Sequence, residues 1–425
     1  MTNAATIAAI QSKIARGAAP QDLVTTLWER ARSLEPSLQA FAHLPDSPPE
    51  AGEAGPLAGV AVGVKDLIDT ADMPTGYGSP IHDGHRPAAD AAIVARLRAL
   101  GATVLGKTVT TEFAWRHPGP TRNPWNLAHT PGGSSSGSAA AVAAGLVTLA
   151  LGTQTFGSVI RPAAFCGVVG FKPSFGALPR EGVHPLSPSL DHVGLFARTV
   201  DDVSAALSLL APDIAPASSV PVAELRLAAL TPSTDVASEE QRALVDSARQ
   251  DLASAGARVE TVDLSDMTVR LRSIAEIIVA FEAAQVFGEL QSRRPADISG
   301  ELTDLINGGR AISDAAHRDA LAAQRDLREA FADRMRGYDA VLTIPAPGEA
   351  PEGLGHTGDA RFCTPWTTLG APAVSLPVGV SLSGLPLGLQ LVGRHGGDMA
   401  LLAAAQTILQ VVPLFAGAPH LEARS

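Results

Sequence analysis

Three serines stand in a row inside the glycine-rich stretch "HTPGGSSSGSAAAVAAG", where a serine can be a nucleophile, a helix cap or part of a linker. Two other stretches carry groups suited to acyl transfer. Lys65 lies in the apolar run "GVAVGVKDLID" (59–69). Burial without a counter-charge lowers a lysine pKa from about 10.4 toward neutrality, and the neutral amine can then take up a proton. Pairing with Asp66 or Asp69 would instead keep Lys65 charged. Ser158 stands alone in "GTQTFGSVIRPAAFCG" (152–167), where strand-like text breaks into a Thr/Gly-rich turn. Such a turn can aim successive backbone N–H groups at one point, as an oxyanion hole requires. A serine there can also do no more than cap a helix.

Three further strings fail on context. "GATVLGKT" (101–108) matches the phosphate-loop pattern, but helical text precedes Gly101 and strand formers fill the variable positions. A helix stop followed by a strand is the expectation there. "GSSSG" (133–137) matches a nucleophile elbow around Ser135, with Asp191 and His192 downstream, yet no apolar strand leads into it. "HDGH" (82–85) with Asp90 sits in loop-like text without the helical spacing of a metal site, so a solvated loop is expected.

Taken together, "GVKD" (63–66), "GGSSSG" (132–137) and "GTQTFGSVIRPAAFCGVVGFKPS" (152–174) resemble the signature of the amidase signature family. Ser134 and Ser158 stand 24 residues apart, as in that family. The likeness continues through "SLDHVGLFARTVDD" (189–202), "GDARFCTPWTTLGAPAVSLPVG" (358–379) and "GLPLGLQLVG" (384–393). It implies an α/β fold with a central mixed sheet flanked by helices on both faces. It also implies amide hydrolysis through an acyl-enzyme, with Lys65 as base and Ser158 as nucleophile. Ser134 would be the relay between them, entered through a cis peptide after Gly133. Backbone N–H groups of Thr155, Phe156, Gly157 and Ser158 would form the oxyanion hole. Ser135 and Ser136 are left to shape the turn and cap the next helix, and no metal or organic cofactor is implied.

Two positions depart from the family pattern. Phe156 replaces the usual glycine, which either strains the hole, if φ must be positive, or narrows the acyl pocket. Gln154 replaces the aspartate of many members and points to a subgroup acting on small molecules. Arg161, grouped with Gly133 as substrate-binding, is expected either to clamp a substrate carboxylate or to pair with an internal acid such as Asp191. Arg116, His117 and Arg122 add positive potential nearby. The substrate expected is a small amide, carboxylate-bearing or urea-like. Two alternatives are the A subunit of a tRNA-dependent amidotransferase and a non-catalytic member spoiled at Phe156.

The elements that must position these groups follow from composition and periodicity. The 425 residues are 46% hydrophobic, enough for a large core, and Gly and Pro are frequent. A net charge of −11 without a basic cluster argues against nucleic acid or an anionic membrane as partner. Cys166 and Cys363 form no metal-ligand spacing or disulfide framework, which fits a reducing cytoplasm. Beyond a small amide, a homodimer or a small accessory subunit is left open. The chain is expected as one domain with four stretches. These are a helical region to residue 45, a signature core over 57–205, a mostly helical insert over 222–338, and a return to the sheet over 339–425.

Overall fold

The computed structural model describes residues 5–231, 236–419 and 421. The outermost residues of both expected terminal stretches, and four within the helical insert, lie outside the described residues.

At the N-terminus are α1 (Ile7–Ala15), capped by the Thr6 hydroxyl, and α2 (Pro20–Leu38), which begins on its proline. Helix does not continue to residue 45. Gln39 takes a φ of 53°, which stops α2, and the next residues form a short strand, β1 (Phe41–His43). Then come β2 (Ala61–Lys65), α3 (Ala92–Ala99) and β3 (Thr103–Thr108). Gly101, at φ 90°, turns the chain from α3 into β3, so the phosphate-loop-like string is a helix stop and a strand. Its lysine, Lys107, is fully buried and donates to Ile68 O and Thr75 Oγ1.

The signature stretch forms α4 (Ser136–Ala143), β4 (Leu149–Gln154), α5 (Ile160–Cys166), β5 (Val169–Lys172), β6 (His192–Ala197) and α6 (Val200–Leu210). The expected insert is not helical throughout. It contributes β7 (Arg226–Ala229), α7 (Glu239–Ser254) and β8 (Arg258–Thr261) before α8 (Ser265–Arg293), α9 (Gly300–Arg310) and α10 (Asp314–Arg334). The chain then returns through β9 (Ala340–Thr343), α11 (Thr364–Thr368), β10 (Ala373–Val380), β11 (Pro386–Val392) and α12 (Asp398–Leu409).

All eleven strands join one sheet in the order β1-β3-β2-β4-β6-β5-β10-β11-β9-β7-β8. It is mixed: β3, β2 and β4 run parallel, as do β9, β7 and β8, and antiparallel pairs link the two groups. Alternate strand residues feed different cores. Val62, Val64 and Leu151 join α3, α6 and α12, whereas Ala61, Leu105 and Ala150 join α2 and α4. Both faces are therefore covered, which is why these strands read as unbroken apolar runs. A separate core holds α8 to α10 and α11 together. Among the described residues no helix is long and apolar enough to cross a membrane.

Candidate active site

β2 and β4 are parallel neighbours, so their carboxyl ends leave the sheet side by side, where open α/β sheets bind ligands. Lys65 is the last residue of β2 and is fully buried. Its Nζ lies 2.7 Å from Ser134 Oγ and 2.7 Å from Thr153 Oγ1. Neither adjacent acid pairs with it. Asp66 lies 3.3 Å from Lys107 Nζ, and Asp69 accepts from the Tyr77 hydroxyl. Burial holds Lys65 well below the usual lysine range, opposed only in part by the Asp191 carboxylate.

The serine-rich turn lies against this lysine. The Gly133–Ser134 peptide is cis. Its carbonyl, Gly133 O, accepts from Arg161 Nη2 at 2.7 Å, and the same Nη2 donates to Thr357 Oγ1 at 3.1 Å. Ser135 and Ser136 do not cap α4. Ser135 Oγ donates to Thr153 O and accepts from Thr153 N–H, and Ser136 Oγ donates to Val109 O, so both tie the turn to the strand ends. His192 Nδ1 contacts Leu190 O, 2.6 Å away, and no Ser135–His192–Asp191 arrangement forms.

After β4 the chain folds back sharply, and Gln154 organises the fold-back. Its Oε1 accepts from Val159 N–H (2.7 Å) and Ile160 N–H (3.0 Å). Its Nε2 donates to Thr367 Oγ1, which donates in turn to Phe156 O. Gln154 is buried and does not line the cavity. The backbone N–H groups of Thr155, Phe156, Gly157 and Ser158 make no hydrogen bond to another described residue. Thr155 is held from the side, its Oγ1 donating to Asp191 Oδ1 at 2.6 Å. Asp191 also accepts from the N–H groups of Leu186 and Ser187, and burial pushes its carboxyl up to about 6.

Ser134, Thr155, Phe156, Ser158 and Arg161 line one cavity of about 350 Å³. Gly157 backs the fold-back, where an added Cβ would come within 3.0 Å of Cys363 Cβ. Gly133, expected to touch substrate, does not line the cavity; its carbonyl is occupied by Arg161. Nor does Arg161 pair with Asp191. Burial lowers its pKa to about 10. Phe156 is not in the left-handed region, so the strain argument for a spoiled site falls away. Its ring lines the cavity, edge-on to Trp115 at 5.8 Å. Of the three expected basic neighbours, only Arg116 lines the cavity; its guanidinium lies over Trp115. His117 lies 3.5 Å from Glu301, and Arg122 donates to Leu127 O.

Thr153, Thr357 and the role of Asp191 escaped sequence reasoning. Thr153 had one usable signal, its place one residue before the end of a strand neighbouring that of Lys65. Thr357 lies 196 residues from Arg161 and had none. His82 and His85 pack with Tyr77 and His184 at the edge of a loop whose residues 83–86 are exposed, and no group of three metal-ligating side chains occurs among the described residues.

A mixed sheet of this order, with a buried lysine against a serine at the carboxyl ends of two parallel strands, is the architecture that the resemblance implied. The Amidase family pattern matches residues 6–402, and the chain is a member of that family. It is 31% identical to the A subunit of the glutamyl-tRNA(Gln) amidotransferase of Synechococcus sp. (strain CC9605), over 98% of each chain. Among solved structures it is similar to an amidase, with a TM-score of 0.83 and 30% identity over 95% of this chain and 98% of the other. It is also similar to the peptide amidase of Stenotrophomonas maltophilia, with a TM-score of 0.82 and 28% identity over 98% of each chain.

Proposed function

We propose that this chain releases the nitrogen of a primary carboxamide through an acyl-enzyme on Ser158. Neutral Lys65 accepts a proton through the Ser134 hydroxyl while Ser158 Oγ bonds to the amide carbon. The oxyanion is received by the unpartnered N–H groups of residues 155–158. Collapse breaks the C–N bond, and the relay returns the proton to the leaving nitrogen, which departs as ammonia. Water then cleaves the ester and frees Ser158. No hydrogen bond joins Ser134 and Ser158 in the free protein, and such contacts commonly tighten only around substrate.

One observation carries this reading: Lys65 is buried without a carboxylate partner, 2.7 Å from a serine hydroxyl on the cavity wall. Lys172 is also fully buried without an acid, but its amine is spent on the carbonyls of Pro173 and Ala371, whereas Lys65 meets a hydroxyl that can pass a proton. The test is labelling by a fluorophosphonate together with ammonia release from a panel of primary amides. Wild type should label and turn over; Ser158→Ala should lose both, and Lys65→Met and Ser134→Ala should slow labelling at least a thousandfold. Labelling that survives Ser158→Ala sinks the assignment.

Two settings suit this chemistry. Likeness to an amidotransferase component over nearly the whole of both chains favours the first, amide cleavage inside a transferase complex. Likeness to solved amidases favours the second, a stand-alone enzyme for a small amide. Ammonia release that appears only with co-purifying subunits supports the first; full turnover by the isolated chain supports the second.

A further inference from the structure

Phe156 also lines a neighbouring cavity. A second cavity of about 260 Å³ shares Arg116, Phe156, Asp359 and Ala360 with it and is completed by Arg272 and Glu276 of α8 and by Arg361. In a chain of net charge −11, three arginines face this one space. Arg361 is spent on Asp359, with Nε 2.5 Å from Oδ2. Arg116 lies over the Trp115 ring and has no carboxylate partner among the described residues. Arg272 is half-buried and, among the described residues, makes no hydrogen bond or ion pair, not even with Glu276 one turn along α8. An arginine held at a cavity wall without an acid is a ready partner for an anion. Arg161 belongs to the site already described, where its Nη2 holds Gly133 O and Thr357 Oγ1 and its Nε is buried without a partner among the described residues.

We propose that this second cavity seats a carboxylate on the acyl part of the substrate, bound by Arg272 and Arg116, with the Phe156 ring marking the boundary between it and the scissile amide. The proposal rests on the reading of the chain as a primary-carboxamide hydrolase: when nitrogen leaves as ammonia, any tail must lie on the acyl side. Substrate choice then belongs to α8, outside the stretches that carry the family resemblance, while the signature stretches do the chemistry. The substrate class is the monoamides of linear dicarboxylic acids.

The experiment compares ammonia release from monoamides of four- to eight-carbon linear diacids with release from their methyl esters. Wild type should prefer the free acids, and raising salt from 50 to 500 mM should erode that preference. Arg272→Met should cut the acid-over-ester ratio roughly tenfold, the worth of one charge-assisted hydrogen bond. Arg272→Glu should cut it further and favour amides with an ω-amino group. An unchanged ratio in both variants overturns the proposal. Should no amide in the panel turn over, with or without co-purifying subunits, the functional reading has failed separately. Calorimetry of hexanedioate on Ser158→Ala, with and without Arg272→Glu, then decides: weaker binding with the glutamate supports the site, and equal or absent binding overturns it.

Discussion

Lys65 depends on two hydroxyls, and they do different things. Ser134 stands between it and the cavity, whereas Thr153 fixes the amine from the strand side. Thr153→Val should lower kcat roughly tenfold with KM little changed, because one hydrogen bond that orients the base is lost. Arg161 calls for a different readout. Since it holds the Gly133 carbonyl next to Ser134, Arg161→Met should lower kcat for neutral and acidic amides by the same factor. A substrate clamp would instead raise KM for the acids alone. The pH profile follows from burial. In the proposed mechanism Lys65 is neutral, so kcat/KM should rise with pH through a value well below the ordinary lysine range of about 10.4. The Asp191 charge raises the Lys65 pKa, so Asp191→Asn should move that rise to lower pH. Stability runs the same way: between the depressed folded pKa and the unfolded one, the unfolded chain binds more protons, so Lys65 contributes increasing stability as pH rises.

At the scale of elements, the fold-back between β4 and α5 is the delicate part. Four successive N–H groups, of residues 155–158, have no partner among the described residues, and the two that follow are satisfied by a single side chain, Gln154. Gln154→Ala strands two buried donors and should cost about 2–4 kcal/mol in urea unfolding, with activity falling as the fold-back loosens. Gln154→Glu keeps the acceptor but removes the donor to Thr367, and the smaller loss expected there separates the two halves of the contact. The α8–α9 pair is equally exacting. Gly309 lies on α8 so closely that an added Cβ would sit 1.8 Å from Ala280 O, which ties α9 to the helix that carries Arg272.

The whole molecule is one sheet assembled out of chain order. β10 and β11, near the C-terminus, join β5 of the signature core to β9, β7 and β8, so neither end of the sheet is complete without them. Unfolding in urea should therefore be one transition by both fluorescence and circular dichroism, and two separated transitions would divide the chain into independent units. Much of this was legible beforehand. The apolar runs marked β2, β3 and β4, and the return of the chain to the sheet beyond residue 339, because strands buried on both faces leave a continuous hydrophobic signal. Glycine and serine spacing, through family resemblance, singled out Lys65, Ser134 and Ser158. β1, β7 and β8 were missed, being only three or four residues long and embedded in helical text. Residue types and their order along the chain determined which groups were available for acyl transfer. Only tertiary structure decided which were free to act: Asp66 turned to Lys107, Gln154 to the backbone, Arg161 to a carbonyl, and Arg272 was left open beside the cavity. Those outcomes depend on contacts across long separations, such as 196 residues from Arg161 to Thr357, and nothing local in sequence records such a contact.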